Sequence, residues 1–208
     1  MVKNYNIVID ASDEVSLVAR EVSRFALEEI GGAFFELDES VHIPHLTLLH
    51  IALEESALPR VALMLESIAE NFEPFLLRQD KYRLVDNRWL DMSYELDEPL
   101  MKLHQAVLAI IAPLRVRTPE GEQKEDWSDL SPERQENLEL YGSAEVARLY
   151  RPHLTLTRFK EPREEALLEG LPAREFSFVA RSLDIYELGE HGTCKNIVAT
   201  CALGEKLL

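Results

Sequence analysis

The chain has 208 residues, 46% hydrophobic and 29% charged, with a net charge of −16 from 38 acidic against 22 basic side chains. That is enough apolar matter for a real core in one large or two small domains. The longest uninterrupted apolar run, residues 106–112, falls well short of the roughly 20 residues a membrane helix needs. So acidic a surface repels the backbone of long nucleic acid. The opening MVKNYNIVIDASDE has no leader pattern, and two cysteines, Cys194 and Cys201, make no disulfide framework. A cytoplasmic protein with buried thiols is expected.

In chain order, residues 6–10 read as a β-branched strand. Residues 13–30 read as a helix: Val15, Val18, Val22 and Phe25 share a face, Ser12 or Asp13 caps it, and Gly31-Gly32 stops it. A short strand is expected at 33–37 and a longer one at 45–53. A second helix covers 58–72 on a stripe of Leu58, Ala62, Leu65, Ile68 and Phe72. Strands at 75–85 and 88–96 meet at an Asp86-Asn87 turn. The helix over 97–112 has Asp97 as cap, Pro99 in its first turn and Pro113 at its end. Residues 115–142 are polar and acid-rich, punctuated by Pro119, Gly121, Pro132 and Gly142. They read as a surface excursion with a short helix at 132–140. A strand at 150–159, a short helix at 161–169 and two strands at 175–187 and 195–203 follow. A loop with His191 and Gly192 joins the last pair. Interleaved strands and helices exclude a bundle or a sandwich.

Pro44–Leu48 and Pro152–Leu156 both spell Pro-His-Leu-Thr-Leu. On a strand, alternate side chains share a face. His45 and Thr47 therefore point one way while Leu46 and Leu48 enter a core, and His153 and Thr155 repeat the pattern against Leu154 and Leu156. Two such units face to face would set two imidazoles around one ligand. Near neutral pH one can be neutral and take a proton, the other charged and give one. The threonine hydroxyls can donate to non-bridging oxygens. That set suits in-line attack on a phosphodiester without a metal, and a strained 2',3'-cyclic phosphate is a natural substrate.

The paired His45-Leu46-Thr47-Leu48 and His153-Leu154-Thr155-Leu156 resemble the signature of the two-histidine (2H) phosphoesterase superfamily. It includes bacterial 2'-5' RNA ligase-type proteins and cyclic phosphodiesterases of RNA or ADP-ribose. The resemblance spans most of the chain. It implies an α+β, two-lobed fold over residues 1–208: two pseudo-symmetric sheets, outer helices and a central cleft. It further implies that His45 and His153 are the acid and base, with Thr47 and Thr155 holding phosphate. His153 is assigned the base that activates water and His45 the acid, which gives a 2'-phosphate. The excursion at 115–142 has no place in the family pattern.

Arg151 shares the parity of His153 and is a phosphate-binding candidate; Phe159 shares it too and could stack a base. Arg158 falls on the opposite face. From residue 148 to 163 there are five bases (Arg148, Arg151, Arg158, Lys160 and Arg163) against Glu161 alone, a local field for a small anion. His42, His45 and His50 lie close in sequence, but His45 and His50 differ in parity and no zinc spacing is present. His104 lies on the apolar stripe of its helix and reads as core, Trp89 reads as packed, and His191 as surface loop. The expected partner is a small nucleotide or short RNA end with a cyclic phosphate. No long nucleic acid, membrane, cofactor or metal is expected, and the chain reads as a monomer. The alternatives are a module that binds phosphorylated ends without turnover, and 2'-5' end joining by the same groups.

Overall fold

A computed structural model describes residues 1–117 and 129–204. Its strands are β1 (Val2–Asp10), β2 (His45–Glu54), β3 (Phe75–Leu77), β4 (Gln79–Val85), β5 (Trp89–Tyr94), β6 (His153–Arg158), β7 (Phe178–Ala180), β8 (Ser182–Leu188) and β9 (Cys194–Ala202). Its α-helices are α1 (Asp13–Phe25), α2 (Leu58–Ala69), α3 (Glu98–Ile111) and α4 (Pro132–Tyr141). Seven strands make one sheet in the order β4-β5-β6-β2-β1-β8-β9, and β3 pairs with β7 apart from it. Each of these pairings is antiparallel. The architecture is α+β. The two sheets expected from the repeated motif are the two halves of one. β2 and β6 join them directly, at a single ladder position where Leu46 faces Leu154.

The leucines of the motifs explain why the halves merge. Leu46 and Leu154 belong to the same core as Tyr5, Ile7 and Ile9 of β1. Val15, Ala19 and Val22 of α1, Val61 and Leu65 of α2, and Leu100, Leu103 and Ile111 of α3 complete it. Burying each large side chain contributes about 1.5–3 kcal/mol. α1 lies on β6, α2 on β8 and β9, and α3 on β2. The helices so take up the leucine side of the sheet, and the histidine side stays open.

The punctuation works as expected in several places. Ser12 Oγ accepts the Val15 N–H at 3.3 Å, and Asp97 Oδ1 accepts the Leu100 N–H at 3.1 Å. α1 widens into a π-type turn, Ala26–Ile30, before Gly31 and Gly32, both at positive φ. Asp86 and Asn87 also take positive φ, as the two central residues of a type I′ turn must, and the Arg88 N–H closes that turn on Val85 O at 3.0 Å. The strand expected at 33–37 does not form: only Ala33 bridges, to Phe159. The rest of that segment finds other partners. Phe35 O accepts from Thr157 Oγ1 at 2.6 Å, and the Leu37 N–H donates to Ser23 Oγ at 2.9 Å.

In the excursion, α4 starts on Ser131 and closes at Gly142, whose φ is +77°; residues 118–128 lie outside the described residues. Cys194 and Cys201 are free and buried. No helix among the described residues is long and apolar enough to cross a membrane.

Candidate active site

Both motif strands alternate as expected through their first four residues. His45, Thr47, His153 and Thr155 are half-buried, while Leu46, Leu48, Leu154 and Leu156 are buried. Then each strand takes in one extra residue. Against β1 the register steps from Ile7↔Leu49 to Val8↔Thr47, leaving Leu48 without a partner. Against β5 it steps from Leu90↔Thr157 to Asp91↔Thr155, leaving Leu156 without one. These are β-bulges, and they fall at the same offset from each motif histidine.

Beyond the bulge the alternation is reversed, which corrects three expectations. Phe159 is fully buried, with the Arg163 guanidinium 5.2 Å from its ring centre, and offers no stacking surface. Arg158, expected on the far face, lines the cavity with His45 and His153. His50, separated from His45 by parity, lines it as well.

Side chains outside the ladder satisfy the carbonyls around the first bulge. Thr47 O accepts the Tyr150 hydroxyl at 2.9 Å. Leu48 O lies 3.1 Å from His104 Nδ1, and His104 Nε2 accepts the Ala147 N–H at 3.0 Å. Those partners fix His104 as neutral, with its proton on Nδ1. It stacks on Tyr150 at 3.8 Å, and burial pushes its pKa down to about 4. It is a core residue, as its helical stripe implies.

The open side of the sheet holds a cavity of about 800 Å³. His45, Thr47, His153, Thr155 and Arg151 all line it. Antiparallel register about Leu46↔Leu154 sets His45 beside Thr155 and Thr47 beside His153, a local two-fold arrangement. Each imidazole is held the same way. His45 Nδ1 lies 2.6 Å from Ile43 O, and His153 Nδ1 lies 2.8 Å from Arg151 O. A carbonyl can only accept, so Nδ1 carries the proton and Nε2 is left to exchange one.

His45 is the more enclosed of the two. Asn6, fully buried on β1, brings Nδ2 within 3.2 Å of His45 Nε2 and 3.2 Å of Thr47 Oγ1. Burial, with a smaller contribution from nearby His153, pushes His45 down to about 4. His50 is also pushed down to about 4, by burial and then by His45 and His153; its Nε2 is buried without a hydrogen-bond partner.

The basic stretch divides. The Arg158 guanidinium lies 4.8 Å from the Trp89 ring and 5.3 Å from the Phe34 ring, with Nη1 3.0 Å from His191 Nδ1. Trp89 and His191 both line the cavity, where the sequence suggested packing and a surface loop. Arg151 is half-exposed and reaches Glu145 at 3.8 Å, and Glu145 binds Arg134 at 2.6 Å. Leu130, Arg134, Leu138 and Glu145 line the cavity, so the described part of the excursion forms one of its walls. Arg163 donates to Gly31 O at 2.8 Å and braces the turn instead. Among the described residues no group of three His, Cys, Asp or Glu side chains is arranged to hold a metal ion.

Asn6, Asp91 and Arg134 were not picked out from sequence. Asn6 shares β1 with Lys3, Asn4 and Asp10, and nothing in the sequence sets it or the others apart.

The fold is found in several solved structures. TT0787 of Thermus thermophilus is 18% identical with a TM-score of 0.64, covering 98% of this chain and 100% of that one. E. coli LigT in apo form is 15% identical with a TM-score of 0.64, over 98% and 99%. E. coli LigT complexed with 3'-AMP is 13% identical with a TM-score of 0.59, over 99% and 100%. No curated protein sequence matches the chain. The family model described as the 2'-5' RNA ligase superfamily matches residues 18–192.

Proposed function

The chain belongs to the 2'-5' RNA ligase superfamily, and on that footing we propose that it is a metal-independent phosphodiesterase opening a 2',3'-cyclic phosphate on a nucleotide or short RNA end. One observation carries the reading: two imidazoles, each tied to the main chain through Nδ1, share one cavity with two threonines. The LigT structures with 3'-AMP, ATP and NADP+ support a nucleotide as the ligand. The acidic surface favours a small molecule or a short end over long RNA.

The environments of the histidines support roles opposite to those expected from sequence. His45, neutral above about pH 4, takes the proton of the attacking water at Nε2, where the water displaces the Asn6 amide, as the oxygen bonds to phosphorus. The P–O3' bond breaks, and the more open His153 gives its Nε2 proton to O3', leaving a 2'-phosphate. Thr47, Thr155 and Arg158 hold the non-bridging oxygens. With a 5'-hydroxyl in place of water, the same groups acting in the same direction join ends through a 2'-5' linkage.

Hydrolysis of nucleoside 2',3'-cyclic phosphates in EDTA tests this. His45→Ala and His153→Ala should each lower kcat by about 10²–10⁴, and wild-type kcat/KM should persist from pH 7 down towards about 4. An aryl phosphodiester, whose leaving group needs no proton, should restore His153→Ala and not His45→Ala; the opposite pattern would exchange the roles. Wild type that binds these nucleotides and turns none over would be a binding module.

A further inference from the structure

A cavity suited to phosphate holds one group that should repel it. Asp91 on β5 lines the cavity and is 4% exposed. It sits directly across the ladder from Thr155, in hydrogen-bonding reach of that hydroxyl. Its Oδ1 is buried without a hydrogen-bond partner. The charged or titratable groups facing it are Arg83, its cross-strand neighbour on β4, and His153 on β6. As a carboxylate, Asp91 would accept the only hydrogen of Thr155 and turn it away from a ligand. It would also place a negative charge beside the phosphate.

The other half of the site shows the alternative. There Asn6 Nδ2 lies 3.2 Å from Thr47 Oγ1. His45 fixes which way round that amide sits. Its Nδ1 donates to Ile43 O, so its neutral Nε2 must receive an N–H. Thr47 therefore accepts from Asn6 and keeps its own hydrogen free. The two side chains do not hold matching ladder positions, since Val8 stands across from Thr47 and Asn6 across from His50; what the halves share is a buried polar side chain on the flanking strand within reach of the motif threonine.

We propose that Asp91 does for Thr155 what Asn6 does for Thr47: it is a positioning residue that donates to Thr155 Oγ1 as the neutral acid and leaves the threonine's hydrogen for a phosphate oxygen. This rests on the phosphodiesterase reading for its substrate, though not for its geometry. Burial, the largest influence on Asp91, raises its pKa above the ordinary carboxylate range, in keeping with the neutral form. Each half then presents one threonine hydroxyl with its hydrogen free for a ligand.

The experiment is a double-mutant cycle on Asp91→Leu and Thr155→Val, with Asp91→Asn as the conservative variant. Two quantities are read: kcat/KM on a nucleoside 2',3'-cyclic phosphate, and affinity for sulfate. Asp91→Asn, which copies the amide of the other half, should stay within about threefold of wild type. Asp91→Leu should lose roughly ten- to a hundredfold, the scale of a hydrogen bond to a charged group. On the Thr155→Val background the same change should add less than about twofold. Loss in Asp91→Asn as deep as in Asp91→Leu would mean that the carboxylate is required, and would overturn the proposal. So would wild-type behaviour in Asp91→Leu, or an undiminished effect without Thr155. If Asp91→Leu does not fold, Asp91→Asn alone still decides between amide and carboxylate. If wild type turns over no cyclic phosphate, the sulfate cycle still tests Asp91, so the two readings fail separately.

Discussion

Phe159 and Arg158 exchange the places that simple alternation gives them, and the exchange separates packing from binding residue by residue. Phe159, fully buried under Arg163, should act on stability alone. Phe159→Ala should cost about 3–5 kcal/mol in denaturant unfolding, with KM unchanged at temperatures where the variant stays folded. A raised KM in a folded variant would restore it to the ligand. The motif quartet was legible because five identical residues recur in strand-like settings, and alternation holds within those five. It fails at the next residue. A bulge is a relation between a strand and its neighbour, here Leu48 against β1 and Leu156 against β5, and neither leucine looks unusual in its own segment. Hence Arg158 and His50 were assigned to the wrong face, and Asp91 was not seen at all.

At the scale of elements, the bulges need partners for the carbonyls they displace, and His104 supplies one from α3. His104→Ala should leave Leu48 O and the Ala147 N–H unpaired, at about 1–3 kcal/mol each. The pH dependence has a definite sign. His104 is held to about 4 in the folded chain against an ordinary 6.5 once unfolded. Between these values the unfolded chain binds more protons, so stability falls as pH drops from 6.5 to 4. The contribution is roughly 3 kcal/mol. Unfolding at about pH 4.5 and about pH 7.5, on either side of the ordinary histidine range, should show a shallower loss in His104→Ala than in wild type; equal slopes would remove His104 from this role. Helices and their caps were the most legible elements, since Ser12, Asp97 and Gly142 act within a few residues of themselves. The segment at 33–37 was not, because Thr157 and Ser23 from distant elements take its backbone groups.

Over the whole molecule, a net charge of −16 surrounds a cavity lined by Arg83, Arg134, Arg151 and Arg158. Attraction is local, while repulsion acts over the longer reach of an oligonucleotide. Salt screens that longer interaction, with a Debye length of about 10 Å at 0.1 M. Raising salt from about 10 to 100 mM should therefore increase kcat/KM for a cyclic-phosphate-ended oligonucleotide relative to a mononucleotide. A ratio that falls with salt would mean that a basic track leads away from the cavity.

The join between the half-sheets has a mechanical meaning. Leu46↔Leu154 is the one ladder position between them, with the Tyr150–Thr47 bond and the shared core beside it, along the line that the site straddles with one imidazole and one hydroxyl on either bank. The reach from one Nε2 to the other is then set by how the backbones of the two strands are placed. Side-chain rotation has little part in it, because both rings are pinned to their own main chain. An anion gripped from both sides spans that line, and because only the folded chain brings the two banks together, filling the site adds to the stability of the fold.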